Sequence, residues 1–315
     1  MRIRYFRSEP LLILGDDNER YILKNQKVSP QEEYDCMFLN EFISGQIALH
    51  LGVPTPEFAI AELDKRILEN GPSLRFVHKF TDGVHFASKE VPNVEANLEE
   101  NYAILMQMKK PYITRSWNKF FEDISNPQDV AKIIAFDLFI ANFDRYNNSG
   151  NLLIHNDFGK RKVVTIDHGH AFFGPVWNTV KVGNLRSVGL NDEYYDLYVN
   201  NYLMLSPKAG YMGGLGEVFR AIERNIELDK ITNHSFQMIV HNIESINEPI
   251  VDEWFSEVPD VWFKDKKNQI GYYKQYLLQQ KDMVRYLIQA MANRGAFSNF
   301  RGGELEWIEK HTGTV

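Results

Sequence analysis

The spacing of apolar residues changes near residue 80, dividing the chain into two unlike parts. Before that point the apolar runs are short. LLILGDDNERYILKN has an apolar run, a turn at Gly15-Asp16-Asp17-Asn18 and a second run over Tyr21, Ile22 and Leu23, which predicts a β-hairpin. Ser29-Pro30-Gln31-Glu32 carries helix-start signals. The next stretch, EEYDCMFLNEFISGQIALHLG, spaces Tyr34, Met37, Phe38, Phe42, Ile43, Ile47 and Leu51 by three and four. That period predicts an amphipathic helix, stopped by Gly52, Pro54 and Pro56. FAIAEL and LRFVHKF predict two further strands across the polar turn LENGPS.

Beyond KFTDGV the period becomes helical. NLEENYAILMQMKK, PQDVAKIIAFDLFIANF and nearly everything after residue 227 follow it, with Pro249 and Pro259 as interruptions. Only NLLIH and KVVTID read as strands. The pattern predicts an α+β chain: a strand-rich part over residues 1–82 and a mostly helical part over 83–315, joined at the TDG connection. No internal repeat or low-complexity linker interrupts it.

Composition narrows the function classes. At 44% hydrophobic and 13% aromatic, 315 residues suffice for a sizeable core. Lys and Arg number 35 against 42 Asp and Glu, a net charge of -7, so no broad basic surface for nucleic acid is expected. Local basic groups such as Arg145 or the Lys160–Lys162 cluster can still meet an anion. The single cysteine, Cys36, excludes an internal disulfide and a Cys-based zinc site, and its helical setting reads as packing. No run approaches the roughly 18 apolar residues of a membrane span, and the start of the chain lacks a signal peptide's apolar region. A cytoplasmic protein without a membrane partner is expected.

The polar residues at the ends of the apolar segments carry the chemistry. Lys24 ends the returning strand, Glu41 lies mid-helix, Asp144 to Asn151 form a polar loop, and Asp167 closes KVVTID. Taken singly, each has an ordinary reading. A strand-end lysine is usually solvated, and DRYNNSGN is rich in residues that satisfy their own backbone in turns. Taken in order, they match the needs of phosphoryl transfer from ATP. A lysine holds the phosphates, and a helix carboxylate positions that lysine. One aspartate takes the acceptor proton, while an amide and a second aspartate hold Mg²⁺. A hairpin through NDFGK would set residues 151 and 167 across from each other.

These segments also carry a family resemblance. Through ERYILK, NEFISGQIALHLGVPTPEFAIAEL, FDLFIANFDRYNNSGNLL and VVTIDHGHAFF, with a weaker likeness at VPDVWF, the chain resembles the HipA-like branch of the protein-kinase-like superfamily. The resemblance implies a two-lobed fold, with a small strand-rich N-lobe, a larger helical C-lobe and ATP between them. The adenine would lie against His78, Lys79, Phe80 and Asp82. Lys24 would contact the phosphates with Glu41 as its partner, and Asp144 would be the base. Arg145 and His168 would orient the loop. Asp167 and Asn151 would hold Mg²⁺, with Asn148 as the alternative amide. The implied acceptor is a protein Ser or Thr, the chain itself, or a small molecule.

Two positions depart from the related pattern: Tyr146 stands where relatives often have histidine, and Ser149 where the metal-binding asparagine is common. GDDNER is neither GxGxxG nor a Walker motif, which leaves backbone amides near Gly15–Asn18 to approach phosphate. A nucleotide-binding pseudokinase or regulatory module is one alternative. A metallohydrolase using His155, His168 and His170 with the two aspartates is another, although no HExxH spacing occurs.

Overall fold

The computed structural model describes residues 11–29, 32–71, 74, 79–95, 113–146, 149–204 and 216–309. Strands β1 (Leu11–Leu14) and β2 (Arg20–Leu23) form the expected antiparallel hairpin, with Leu11 opposite Leu23. Its turn is tied to itself: Asn18 takes a left-handed φ of 62°, and the Asp17 carboxylate accepts from the Glu19 amide at 3.0 Å and the Tyr21 hydroxyl at 2.7 Å. A small antiparallel pair follows, β3 (Lys27–Ser29) and β4 (Glu32–Glu33).

Helix α1 (Met37–Leu51) ends at Gly52, whose left-handed backbone (φ 63°) turns its N–H back to the carbonyls of Ala48 and Leu49. The helix is not amphipathic as expected. It is buried on nearly every side, Asn40, Glu41 and Ser44 included, because the sheet covers one face and C-terminal helices cover the other. Gly45 permits the close approach to the sheet: a Cβ there would lie 2.4 Å from the Phe58 ring.

Strand β5 (Phe58–Leu63) and the short helix α2 (Lys65–Asn70) come next. Arg75 to His78 of the expected strand LRFVHKF lie outside the described residues. Among the described residues of that segment, Lys79 and Phe80 lie outside any strand, and the sheet takes β6 (Gly83–Lys89) between β2 and β5, in the order β1-β2-β6-β5. LRFVHKF and VHFASKEV have similar apolar content, so periodicity alone cannot choose between them. Phe80 is 2% exposed, in a small core with Leu23, Leu63, Leu68 and Ala87. The neighbouring Phe86 joins α1 and the main core. The sheet thus runs to Lys89 through β6.

Residues 90–95 then cross to the second part and are pinned there: the Glu95 amide donates to Ile154 O (2.9 Å), and the Asn156 amide to Asn93 O (3.1 Å). NLEENYAILMQMKK lies outside the described residues. Helices α3 (Ile113–Phe120) and α4 (Gln128–Phe139) precede the hairpin of β7 (Leu152–Asp157) and β8 (Lys160–Thr165), which turns through Phe158 and Gly159, both at positive φ. The remainder is helical: α5 (Thr179–Arg186), α6 (Asp192–Met204), α7 (Gly216–Ile222), α8 (Gln237–Glu244), α9 (Glu248–Ser256), α10 (Lys266–Gln280) and α11 (Val284–Asn293). The fold is therefore α+β, a small antiparallel sheet followed by a mostly helical body. The VPDVWF segment reaches back across it: Trp262 packs between Phe38 and Phe42 and donates its indole N–H to Val84 O at 3.0 Å. No helix among the described residues is long and apolar enough to cross a membrane.

Candidate active site

The end of β2 sets Lys24. Its backbone N–H donates to Phe86 O at 3.0 Å, so the side chain leaves the sheet towards α1. Its Nζ lies 3.3 Å from Glu41 Oε1 and 3.2 Å from Asp167 Oδ1. Glu41 is 3% exposed, and its other oxygen accepts the His168 amide N–H at 3.0 Å. Burial pushes Glu41 up to about 7, with Lys24 opposing and Asp167 adding to the rise. Burial works against charge on Lys24 and Asp167 too, but their mutual attraction outweighs it. Lys24 is held above the ordinary lysine value and Asp167 well below the carboxylate range. The lysine and Asp167 are thus both charged, and Asp167 keeps an accessible side chain, 36% exposed.

Asp167 takes a left-handed φ of 60°, uncommon for a non-glycine residue. It stands two residues past β8. The register that pairs Leu152 with Thr165 continues one step, with the Ile166 amide donating to Asn151 O at 3.1 Å. Asn151 therefore lies opposite Ile166, one residue short of the expected partner. Its amide nitrogen donates to Asp144 Oδ2 at 3.3 Å, which brings the polar loop and the hairpin together. Asn148 lies outside the described residues.

Arg145 is fully buried and ties the loop to everything around it. It donates to both Asp137 oxygens, to Asn151 O at 2.9 Å, to Ile166 O and to His168 Nδ1 at 2.8 Å. Burial pushes Asp137 up, against the pull of Arg145 and Asn142. Burial and the adjacent guanidinium hold His168 well below its usual value, so its ring is neutral. With Nδ1 accepting from Arg145, the proton sits on Nε2, which faces Thr55 Oγ1 at 3.4 Å. His155 and His170 are also engaged elsewhere: His155 Nδ1 meets Pro92 O at 2.5 Å, and His170 stacks edge-on with Tyr34. The three histidines do not converge, and among the described residues no group of three His, Cys, Asp or Glu side chains is arranged to hold a metal.

A cavity of about 190 Å³ opens beside Lys24, Glu41, Asp167 and His168. Ile22 and Phe86 on the sheet, Leu153 on the hairpin and Ile166 just past it give it apolar walls beside Ser88, and Lys89 to Val91 with Val94 form its connecting edge. The edge of this cavity differs from the expected adenine edge over residues 78–82. His78 lies outside the described residues; Lys79, Phe80 and Asp82 do not line the cavity. Phe80 is committed to the small core, and Asp82 sits exposed before β6. In the β1–β2 turn, the Asp17 carboxylate already takes the Glu19 amide.

The lysine, the two carboxylates and the loop with its buried arginine agree with a family match. Residues 2–179, more than half of the chain, match the HipA-like kinase family. The chain belongs to the HipA-like kinase family. No curated protein matches it. Among solved structures, the proinflammatory kinase CtkA of Helicobacter pylori superposes with a TM-score of 0.49 and 13% identity, covering 90% of each chain. HipA of Shewanella oneidensis MR-1, from its toxin–antitoxin complex with HipB and operator DNA, aligns at a TM-score of 0.38 and 13% identity, over 85% of this chain and 60% of its own. Several residues lining this cavity carry no local sequence signal. Ser88 and Leu153 are ordinary strand residues in sequence. Asp137 does leave a trace, as a lone acid inside the apolar run KIIAFDLFIANF.

Proposed function

We propose that this chain is an ATP- and magnesium-dependent kinase that transfers the γ-phosphoryl group to a hydroxyl, of a protein Ser or Thr or of the chain itself. The observation that carries the reading is the single ammonium of Lys24 shared between Glu41 and Asp167 at the mouth of the cavity. ATP enters with its base between Ile22 and Leu153–Ile166 and its phosphates toward Lys24. Glu41 holds the lysine in place from the side away from solvent. Asp144, half-buried beside Asn151, accepts the hydroxyl proton as the phosphoryl group leaves ATP. Arg145 fixes the backbone on both sides of that event, at Asn151 and at Ile166.

The donor set suits magnesium. Asp167 offers a charged carboxylate, and Asn151, whose amide nitrogen is turned to Asp144, offers its carbonyl oxygen. Bound there with the phosphates, the ion would neutralise their charge.

Thermal melting tests the reading. At about 100 times its dissociation constant, a ligand adds about 2.7 kcal/mol. ATP with Mg²⁺ should stabilise the chain on this scale, and Asp167→Ala should lose the magnesium-dependent part. A wild type unmoved by ATP with Mg²⁺ would refute the proposal.

A further inference from the structure

We propose that Asn40 and Lys181 are positioning residues for this transfer, holding the segment His168–Pro175 against α1 so that Asp167 and Glu41 keep one arrangement around Lys24. The proposal rests on the kinase reading for its consequence and on the packing for its cause.

The segment is an irregular coil. Phe172, Phe173 and Gly174 have positive φ, as Asp167 does. Left-handed backbone at non-glycine residues costs on the order of 1–3 kcal/mol each and persists only where the surroundings dictate it. Here the surroundings are two side chains. Asn40 Nδ2 lies 2.7 Å from Gly169 O, 2.9 Å from Ala171 O and 3.1 Å from Gly174 O, so its two hydrogens serve three carbonyls. Lys181 Nζ donates to Phe172 O at 2.7 Å and Gly174 O at 2.6 Å. The two side chains also meet, with Lys181 Nζ 3.5 Å from Asn40 Oδ1, which accepts the Tyr273 hydroxyl at 2.7 Å.

Both ends of the coil are fastened to the start of α1 as well. The His168 amide donates to Glu41, the Cys36 amide to Pro175 O at 2.7 Å and the Trp177 amide to Asp35 Oδ1 at 2.7 Å. Gly169 passes so close that a Cβ would lie 2.6 Å from Met37 Cγ and 3.4 Å from Glu41 Oε1.

Asn40 is 0% and Lys181 1% exposed, and the Lys181 ammonium meets the neutral oxygens of Phe172, Gly174 and Asn40. Burying such a cation is unfavourable, and burial pushes Lys181 down to about 8. A methionine of similar length would fill the space without that cost. What it would lack is the set of donors that turns two of the coil's carbonyls inward, five and seven residues beyond the strained Asp167.

Lys181→Met keeps the stem and removes the donors. Two readouts are needed. Hydrogen exchange of amides 168–174 in protein without metal or nucleotide reports the coil itself. Magnesium titration of ATP-dependent melting, with steady-state kinetics well below the melting temperature, reports the consequence. We expect exchange in this segment to rise about tenfold, as for the loss of one charged hydrogen bond, while β7 and β8 stay protected. The half-saturating Mg²⁺ concentration should rise by about the same factor, with metal-free ATP binding unchanged. Wild-type exchange and magnesium dependence in a variant that merely melts earlier would overturn the proposal. Should Lys181→Met not fold, Tyr273→Phe removes one donor to Asn40, and a change of about threefold in both readouts is expected; no change in either would overturn it. A wild type without any ATP response would refute the kinase reading instead, and the exchange data would still decide whether the two side chains hold the coil.

Discussion

Lys24 Nζ stands 3.2 Å from Asp167 Oδ1 while still touching Glu41 at 3.3 Å, so one ammonium joins the sheet, the buried helix and the end of the hairpin. Breaking a buried pair typically costs about 3–5 kcal/mol. In Lys24→Met, Glu41 can escape part of that by taking a proton, since burial already pushes it up to about 7. A carboxyl raised in the folded state binds more protons there than in the unfolded chain. Its stabilising contribution is present below the unfolded value and is lost as pH rises through the folded one. Lys24→Met should therefore be more destabilised, relative to wild type, at pH 8 than at pH 6. Urea unfolding at the two pH values checks this, and an equal cost at both would contradict it.

Arg145 and Asp137 form a second buried pair, 3.1 Å apart and both 0% exposed. Arg145→Met should cost about 3–5 kcal/mol by leaving Asp137 without its partner. The double variant Arg145→Met/Asp137→Asn should recover part of that loss. Denaturant midpoints measure both, and a double variant as unstable as the sum of the singles would show that the pair is not coupled.

The expected adenine edge at Phe80 and the cavity wall at Ser88 separate two substitutions. Phe80→Ala should cost about 3–5 kcal/mol through the small core and leave the ATP KM of the folded protein near wild type. Ser88→Phe places a ring in the cavity and should raise the ATP KM by about tenfold or more. If Phe80→Ala shifts KM and Ser88→Phe does not, the nucleotide lies elsewhere.

What could be read from the sequence follows from distance along the chain. Lys24, Glu41 and Asp167 stand in or at the end of periodic segments and Asp144 in the polar loop between two, so element type and order were enough to single them out as candidates, while Asn151 was set apart from Asn148 only by the family resemblance. The hairpin and the stop of α1 at Gly52 were legible for the same local reason. The strand beside the cavity was not. Phe80 and Phe86 sit in similar apolar stretches, but Phe80 turns to the small core and Phe86 to α1. Helix α1 looked amphipathic because its polar residues, Asn40, Glu41 and Ser44, are buried by partners elsewhere in the chain. Lys181, far along the chain, gave no local sign of reaching the carbonyls of Phe172 and Gly174.

The most direct test is a comparison of wild type and Asp144→Asn, measuring phosphoryl transfer from ATP by mass spectrometry of the chain and offered acceptors, alongside ATP affinity. Loss of a general base typically costs about 10²–10⁴ in rate, and the amide should leave nucleotide binding largely intact. Transfer by wild type, falling to that extent in the variant with ATP affinity preserved, is the predicted result. Undiminished transfer in Asp144→Asn would contradict the assignment of this loop as the site of proton removal.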